Sequence, residues 1–302
     1  MTAPPPTHLL FHHDSSLTTH PTTLLTITPF SSLPPPDQSL FKSPPANAFV
    51  LTFPSTIFHP QGGGQPSDEG HITLTSSSSP STTFSVTSVR HSATNPSQVL
   101  HLGFFPLATI PNNPPTTDLP PSSSSKPSFA PGDEVTQTIN LNLRNYHSRL
   151  HTAGHVLGSA VRHLLESQIP GFDELKASHF PDSAACEFRG LIEGRWKGPI
   201  QDKVDEFLAA KMPVEIDWWD EEDFRREGLE RLVPRGENGE VVRPETDGGK
   251  WRVVRIVGAE VYPCGGTHVE RTDLCGEVNV RKVGRSKGCS RVSYGVVPGL
   301  EG

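Results

Sequence analysis

The chain has 302 residues, with 26 Lys and Arg against 33 Asp and Glu, which gives a formal net charge of −7 at pH 7. That length is sufficient for two domains with buried cores, and the acidic balance excludes a basic surface over the whole protein. Four scattered cysteines exclude a disulfide framework, and no apolar stretch is long enough to cross a membrane. Because no Lys or Arg precedes Lys42, neither a secretory nor a transit signal is recognisable, and we expect a cytoplasmic protein.

Residues 1–138 predict a β-rich first domain. They are rich in Ser, Thr and Pro, contain no convincing helix, and alternate short β-type runs with turn residues, which is typical of a small β-barrel or sandwich. The runs are His8 to His12, Thr22 to Phe30, Ala48 to Phe53, His71 to Thr75 and Thr83 to Val89. Three stretches have too little apolar content to pack and predict solvated loop insertions: Pro34 to Pro36, Ser76 to Ser79 and Pro111 to Pro127.

A glycine-rich loop, Thr56 to Gly70, lies between two of these runs and contains Gly62, Gly63, Gly64 and Gln65. Three consecutive glycines let backbone N–H groups approach a ligand closely, and the Gln side chain adds a donor and an acceptor. The spacing matches neither the Walker motif nor the dinucleotide fingerprint, so we reject a nucleotide-phosphate site. On glycine content alone, a hairpin or bulge loop is the simpler interpretation.

A long helix is predicted from Leu141 to Ser167, where apolar residues recur at helical spacing until Ile169-Pro170-Gly171. His151 and His155 are four residues apart, so they project from one face of this helix and can reach a single ion. His147 lies one turn earlier on the same stripe. It is a candidate third ligand or second-shell partner, or a residue on the polar side of the helix.

Residues 139–302 predict an α+β domain with helices on an antiparallel sheet. A possible strand segment runs from Lys176 to Arg189. After it come a helix from Pro199 to Lys211, a strand from Val214 to Trp219, a charged helix from Glu221 to Leu232, and strands at Val253 to Val257, Gly276 to Val283 and Val292 to Val297.

Cys264-Gly265-Gly266-Thr267-His268 forms a second pair of candidate metal ligands, after a strand-like run. A proline and two glycines make a turn in which a thiolate and an imidazole can converge. With His151 and His155 they supply four donors that suit tetrahedral Zn²⁺ better than Mg²⁺ or Ca²⁺. A chance pattern is the simplest alternative for either pair alone, and a purely structural zinc is the alternative for both together.

Five basic residues with no acid among them form a candidate phosphate-binding patch near the end of the chain. They are Arg281, Lys282, Arg285, Lys287 and Arg291. Taken alone, such a run more often forms a solvated face.

The order of the three motifs resembles the editing half of alanyl-tRNA synthetase and, more closely, the free-standing alanyl-tRNA editing proteins known as AlaX. The matching phrases are Thr56 to Gly70, His151 to His155 and Cys264 to His268, with Lys287 to Val292 similar to the family's closing phrase. The resemblance spans Leu9 to about Val297. The chain departs from the family at His59, which stands where an aromatic residue is common, and in its Ser- and Pro-rich insertions.

The resemblance implies a hydrolase that cleaves the ester of mischarged tRNA(Ala), principally Ser-tRNA(Ala) and possibly Gly-tRNA(Ala). It assigns His151, His155, Cys264 and His268 to Zn²⁺ and implies that His151, His155 and Gln65 take part in catalysis. Gly62, Gly63, Gly64 and Gln65 would border the amino-acid pocket, and Arg285, Lys287 and Arg291 would contact the acceptor end of tRNA(Ala). No aminoacylation domain is recognisable, so the resemblance implies editing in trans with no obligate protein partner and no membrane association.

Two other functions compete with editing. A noncatalytic tRNA-binding or regulatory module stabilised by zinc has the same ligand set and differs only in the absence of turnover. A zinc peptidase is disfavoured because Thr152 stands where the peptidase motif has its glutamate base. The sequence leaves open whether zinc activates water or only positions the substrate.

Overall fold

A computed structural model of the protein describes residues 6–75, 83–106, 129–244 and 247–297. The chain divides into two compact units, Met1–Gln61 with Ser67–Arg144 and Gly62–Pro66 with Asn145–Gly302. The second unit thus includes five residues of the glycine-rich loop, which the sequence analysis counted with the N-terminal domain. Among the described residues, no helix has both the length and the apolar character that crossing a membrane requires.

The first unit is built on one antiparallel sheet of seven strands. The unit contains β1 (His8–Leu9), β2 (Thr19–Thr23), β3 (Thr26–Pro29), α1 (Pro35–Gln38), β4 (Phe49–Thr52), β5 (Ser55–Thr56), β6 (Gly70–Leu74), β7 (Thr83–His91), β8 (Val99–Phe104) and β9 (Glu134–Ile139). The sheet order is β2-β9-β6-β7-β8-β4-β3, and β1 pairs with β5 in parallel. Its core includes Phe53, Phe58 and Phe84, each fully buried. The order places β2 and β3 at the two ends of this sheet, which forms a half-barrel, and the closed small barrel stays a prediction.

Two predictions for this unit need correction. The predicted run Thr22 to Phe30 is two strands, because Leu24 N–H donates to Asp133 O and Leu25 N–H donates to Thr52 O, so the chain changes pairing partner there. The prolines predicted as a solvated loop instead begin α1, where Pro at the first helical position suits the fixed φ of its ring. The predicted loops Ser76 to Ser79 and Pro111 to Pro127 lie outside the described residues.

The long helix α2 (Leu141–Leu165) starts four residues before the second unit and then runs through it. Asn140 caps its start, since the side-chain Oδ1 accepts a hydrogen bond from Leu143 N–H at 3.2 Å. The elements that follow are β10 (Asp173–Ser178), β11 (Ala185–Arg189), α3 (Lys197–Ala209), β12 (Val214–Trp219), α4 (Glu221–Arg226), β13 (Trp251–Ile256), β14 (Glu260–Pro263), β15 (Val278–Ser286) and β16 (Cys289–Val296).

Two antiparallel sheets organise the second unit, in the orders β10-β11-β16-β15 and β12-β13-β14. The apolar stripe of α2 is fully buried in one cluster with Phe188 of β11, Tyr294 of β16 and Ile200 of α3. This stripe includes Leu150, Ala153 and Leu157, which flank His151 and His155, so burial of the helix fixes the positions of these two histidines. The protein is therefore a mixed α and β fold with antiparallel sheets and few helices, as the sequence predicts.

Several boundaries in the second unit differ from those predicted, and the strands β13, β15 and β16 have ends displaced by one to three residues from the predicted ones. The segment Lys176 to Arg189 is two strands, β10 and β11, joined by a turn. The helix predicted from Pro199 to Lys211 is α3, which begins two residues earlier. The charged helix predicted from Glu221 to Leu232 ends at Arg226, because Gly228 adopts a left-handed conformation with φ +69° just beyond its last turn.

Candidate functional site

The two predicted half-sites lie together in the second unit. The donor atoms of His151, His155, Cys264 and His268 all lie within 4.8 Å of one another. His151 and His155 come from adjacent turns of α2, and Cys264 and His268 come from the turn that follows β14. Three of the four donors are imidazoles, so the group is dominated by nitrogen ligands.

Hydrogen bonds orient the two imidazoles that approach the thiol. His151 Nδ1 lies 2.7 Å from Gln65 Oε1, and Gln65 Oε1 also accepts from the Thr267 N–H at 3.0 Å. Since that oxygen is an acceptor, His151 carries its proton on Nδ1, and its Nε2 lone pair lies 3.5 Å from Cys264 Sγ. His268 is arranged similarly, with Nδ1 3.1 Å from Thr152 Oγ1 and Nε2 3.3 Å from Cys264 Sγ.

Gln65 is completely buried and connects the glycine-rich loop to both half-sites. Its Nε2 donates to Thr267 Oγ1 at 2.8 Å, while its Oε1 accepts from His151 and from the backbone of Thr267. Gly266 is required beside it, because a Cβ there would lie 2.2 Å from the His151 ring. The Gln65 side chain therefore fixes the position of His151 relative to the turn that carries Cys264 and His268.

The donor set fits Zn²⁺ on three observations. With Zn–S near 2.3 Å and Zn–N near 2.1 Å, tetrahedral geometry puts S and N about 3.6 Å apart, close to the 3.3 and 3.5 Å found here. His155 Nδ1 is buried and has no hydrogen-bond partner among the described residues. The other Nδ1 atoms bond to Gln65 and Thr152, which is how metal-binding imidazoles are usually held.

Burial shifts the pKa values of two of the four donor groups, Cys264 and His155. It raises the pKa of the Cys264 thiol, while the Gly266 N–H at 3.4 Å and the Arg252 guanidinium act to lower that pKa. Burial also lowers the pKa of His155 well below its ordinary value, with smaller contributions from His179 and Arg252. A neutral imidazole is the form that binds a metal, and a cation beside the thiol favours the thiolate that metal binding needs.

A cavity of about 310 Å³ opens beside the four-donor group. Its walls include His151, His155 and Cys264, together with Gly63 of the glycine-rich loop. The remaining lining comes largely from β10 (Glu174, Lys176) and β11 (Glu187), from His179 in the connection between them, and from Tyr262 of β14. The cavity is large enough for a small polar group, and three of the four candidate metal donors lie in its wall.

His179 is a wall residue whose tautomer follows from its partners. Its Nδ1 lies 2.7 Å from Tyr294 Oη, and that hydroxyl donates to Leu150 O at 2.9 Å. Since the tyrosine proton is used there, His179 Nδ1 is the donor and Nε2 is left as an acceptor. Burial lowers the pKa of His179 to about 4, so the ring is neutral near pH 7.

The other residues singled out in the sequence fall in different places. His147 is buried one turn before His151 but is not a member of the four-donor group. Gly62 pairs with Gln65 in an isolated bridge, and Gly64 packs so closely that a Cβ would lie 2.4 Å from Ala177 O. His59 is buried in the first unit, against Phe11 at 5.3 Å between ring centroids.

The basic patch lies on the β15–β16 hairpin, and all five side chains are exposed: Arg281, Lys282, Arg285, Lys287 and Arg291. None of them lines the cavity, although Arg291 approaches Glu187, a wall residue, at 3.8 Å. Sequence reasoning missed Glu174, His179 and Tyr262. Glu174 and His179 carry no spacing signal, since they join the site only through tertiary packing, whereas Tyr262 stands two residues before Cys264 and could have been found by its position.

Comparisons with known proteins agree with the motifs. Residues 251–293, which contain Cys264 and His268, match the model of the threonyl and alanyl tRNA synthetase second additional domain. The alanyl-tRNA editing protein AlaX-M of Methanosarcina barkeri is 27% identical over 238 residues, which cover 78% of this chain and 83% of that protein.

Longer relatives match over a similar part of this chain. AlaX-L of Pyrococcus horikoshii is 25% identical over 240 residues, 79% of this chain and 49% of that protein. The alanine–tRNA ligase of Methanothermobacter thermautotrophicus is 25% identical over 245 residues, 81% of this chain. The chain therefore spans about half of that editing protein and 23% of that ligase. Motifs, fold and comparisons together identify the chain as similar to the alanyl-tRNA editing proteins of the AlaX type.

Proposed function

We propose that this protein is a trans-editing hydrolase that deacylates mischarged tRNA(Ala), principally Ser-tRNA(Ala) and also Gly-tRNA(Ala). The observation that carries the proposal is the group of four converging donors, three of which line a cavity, in a chain that resembles editing proteins. The need for such an activity is physical. A pocket that accepts alanine cannot strongly reject a side chain with one added hydroxyl, so the error is removed at a second site.

His151, His155, Cys264 and His268 would hold Zn²⁺. When bound, the ion supplies Lewis acidity, which can polarise the ester carbonyl or increase the acidity of a water molecule. Gln65 keeps the His151 ring in the tautomer with Nε2 unprotonated, and Thr152 supports His268. His179 presents a neutral Nε2 acceptor that can orient the attacking water, while Gly63 leaves room in the wall for the reacting ester.

The exposed basic residues of the β15–β16 hairpin would contact phosphates at the acceptor end of tRNA(Ala). The protein is acidic overall, but this one hairpin carries five cations that form a local basic patch. They are Arg281, Lys282, Arg285, Lys287 and Arg291. Such contacts position the nucleic acid without reading its sequence. The substrate implies a compartment in which tRNA is charged, and the cytoplasm stays the sequence-based prediction.

A second function is favoured by one observation. Four protein ligands close a tetrahedral zinc shell, as in structural sites, so a noncatalytic tRNA-binding module has the same ligand group. The two functions differ in turnover. The purified protein is incubated with Ser-tRNA(Ala) and with Ala-tRNA(Ala), and loss of the amino acid is followed against the uncatalysed rate.

The editing proposal expects faster loss of serine than of alanine. It also expects the His151→Ala/His155→Ala variant to lose that activity while the exposed His163→Ala control on the same helix keeps it. Serine loss at the uncatalysed rate with the zinc-loaded wild type contradicts editing. Retained tRNA binding in the same sample then supports the noncatalytic module.

A further inference from the structure

Glu174 is a carboxylate in the cavity wall with unusually weak partners. It belongs to β10 and lines the cavity together with His155 and Cys264. Its Oε1 lies 3.3 Å from the Tyr262 hydroxyl, but that hydroxyl lies equally close to His155 O and has only one proton to give. Its ion pair with Arg162 spans 3.8 Å, too long for a hydrogen bond.

Arg162 is more strongly engaged by two other carboxylates. Its Nε lies 2.9 Å from Glu260 Oε2, and its Nη1 lies 2.5 Å from Glu166 Oε1. One guanidinium thus serves three carboxylates. The cluster of Arg162, Glu166, Glu174 and Glu260 carries an excess of negative charge, and Glu174 is the member that reaches the cavity.

Burial makes this excess costly. The Glu174 side chain is 24% exposed, and burial raises its pKa to about 7, with Glu260 adding to the shift and Arg162, Tyr262 and Arg231 opposing it. A half-buried carboxylate needs more hydrogen-bond donors than Glu174 has here. The other acid in the wall differs in its charge balance, because Glu187 has two cations near it, Lys176 at 3.6 Å and Arg291 at 3.8 Å, whereas Glu174 shares Arg162 with two other carboxylates.

The carboxylate is also placed close to the four-donor group. The Tyr262 hydroxyl contacts both Glu174 Oε1 and the backbone oxygen of His155, and the Tyr262 ring centroid lies 4.2 Å from that of His155. A Cβ at Gly158, on the next turn of α2, would lie 2.9 Å from Glu174 Oε1. The Glu174 carboxylate therefore packs directly against helix α2 at Gly158, three residues after His155.

We propose that Glu174 binds the α-ammonium group of the aminoacyl ester and thereby makes a free α-amine a requirement for cleavage. The inference rests on the proposed editing function. An ammonium group has three N–H donors and one positive charge. It would therefore supply both the hydrogen-bond donors that Glu174 lacks and the positive charge that balances its cluster. It would also anchor the ester beside the four-donor group, because every aminoacyl-tRNA carries this amine next to the carbonyl that is attacked.

The test compares two esters and three proteins. Ser-tRNA(Ala) is compared with its α-hydroxy analogue, made by deaminating the same ester, and each enzymatic rate is divided by the uncatalysed rate of that ester. The proteins are the wild type, Glu174→Gln and the control Glu166→Gln. Glu166 bonds to the same Arg162 but is 55% exposed and is not a wall residue.

The wild type should cleave the amino ester roughly tenfold to a hundredfold better than the hydroxy ester in kcat/KM, as expected for a hydrogen bond to a charged group. Glu174→Gln should cleave the amino ester more slowly but the hydroxy ester at the wild-type rate, so that the preference is lost. Glu166→Gln should keep the preference. The inference is overturned if the wild type cleaves both esters alike, or if Glu174→Gln slows both equally. Failure of the wild type on Ser-tRNA(Ala) itself instead contradicts the editing function, and the inference falls with it.

Discussion

Gln65 illustrates how much one side chain can contribute to a site without being a ligand. Its three hydrogen bonds reach His151 and two atoms of Thr267, and it is completely buried. The sequence indicated that this residue takes part in the site, because it follows three glycines in a motif of the editing family. Its bonding to both half-sites was not predictable, since positions 65, 151 and 267 are linked only by the folded chain.

Replacing Gln65 should weaken metal binding and lower the stability of the protein. In Gln65→Ala, the His151 Nδ1–H loses its acceptor and the buried Thr267 N–H is left without one, so we expect metal affinity to fall roughly tenfold to a hundredfold. The free energy of unfolding should fall by about 2 kcal/mol. Zinc affinity is measured by chelator competition and stability by denaturant unfolding.

The control for this prediction is Gln61→Ala, four residues earlier in the same loop and only half-buried. It should change neither quantity appreciably. Unchanged zinc affinity in Gln65→Ala would mean that the amide does not position the imidazole.

At the scale of elements, helix α2 was predictable because its apolar period is long and its ends carry clear signals. The strand β12 was likewise predicted with its observed bounds, Val214–Trp219. The short helix α4 was overextended, although a capping box at Asp220 and Asp223 and the glycine at 228 define its true length. Helix α1 was missed because it depends on distant partners, since its Asp37 accepts hydrogen bonds from Ser92 and Thr94.

Helix α2 needs glycine at position 154 for close approach. A Cβ there would lie 2.4 Å from the His179 ring and 2.6 Å from Tyr294 Oη, although alanine is intrinsically the better helix former. We expect Gly154→Ala to lower the free energy of unfolding by about 1–3 kcal/mol, because the surrounding side chains must shift. Activity should fall with it, since His179 lies in the cavity wall.

Gly198 in helix α3 provides the control, because nothing beyond its chain neighbours lies within 4 Å of a Cβ built there. Gly198→Ala should change the free energy of unfolding by less than about 1 kcal/mol, because the better helix propensity of alanine is opposed by contact of its Cβ with the ring of Pro199. Both variants are compared by urea denaturation. A Gly154→Ala protein that is as stable as Gly198→Ala would show that the helix can move away from its neighbours at little cost.

At the scale of the whole molecule, the sequence predicted a mixed α and β class and the meeting of the two half-sites. It did so because each half-site is encoded locally, by a helix period and by a glycine turn. The cavity walls could not be foreseen in the same way. They depend on the register of β10 with β11 and on the contact between Tyr262 and Glu174, two residues that lie 88 positions apart in the chain.

Metal removal should lower the stability of the protein, because a ligand that binds only the folded chain stabilises it by mass action. With free Zn²⁺ at about a hundred times its dissociation constant, the gain is about 2.7 kcal/mol. We expect a chelator to lower the melting temperature of the wild type, and zinc to restore it.

His268→Gln should bind little zinc and show no such shift, whereas the exposed His163→Gln control on α2 should behave as the wild type does. Melting is followed by circular dichroism, and metal content by elemental analysis. Equal zinc content in the wild type and His268→Gln would argue that the ion is held elsewhere.

The division of the chain also bears on how the protein can be dissected. Residues 62–66 group with a unit whose remaining residues begin at Asn145, so no single cut in the gene yields that unit intact. A fragment starting at Asn145 would lack Gln65, whose Oε1 lies 2.7 Å from His151 Nδ1 and helps to fix the tautomer and orientation of that ring. A deletion series that aims to isolate the histidines and the cysteine must therefore carry this pentapeptide along.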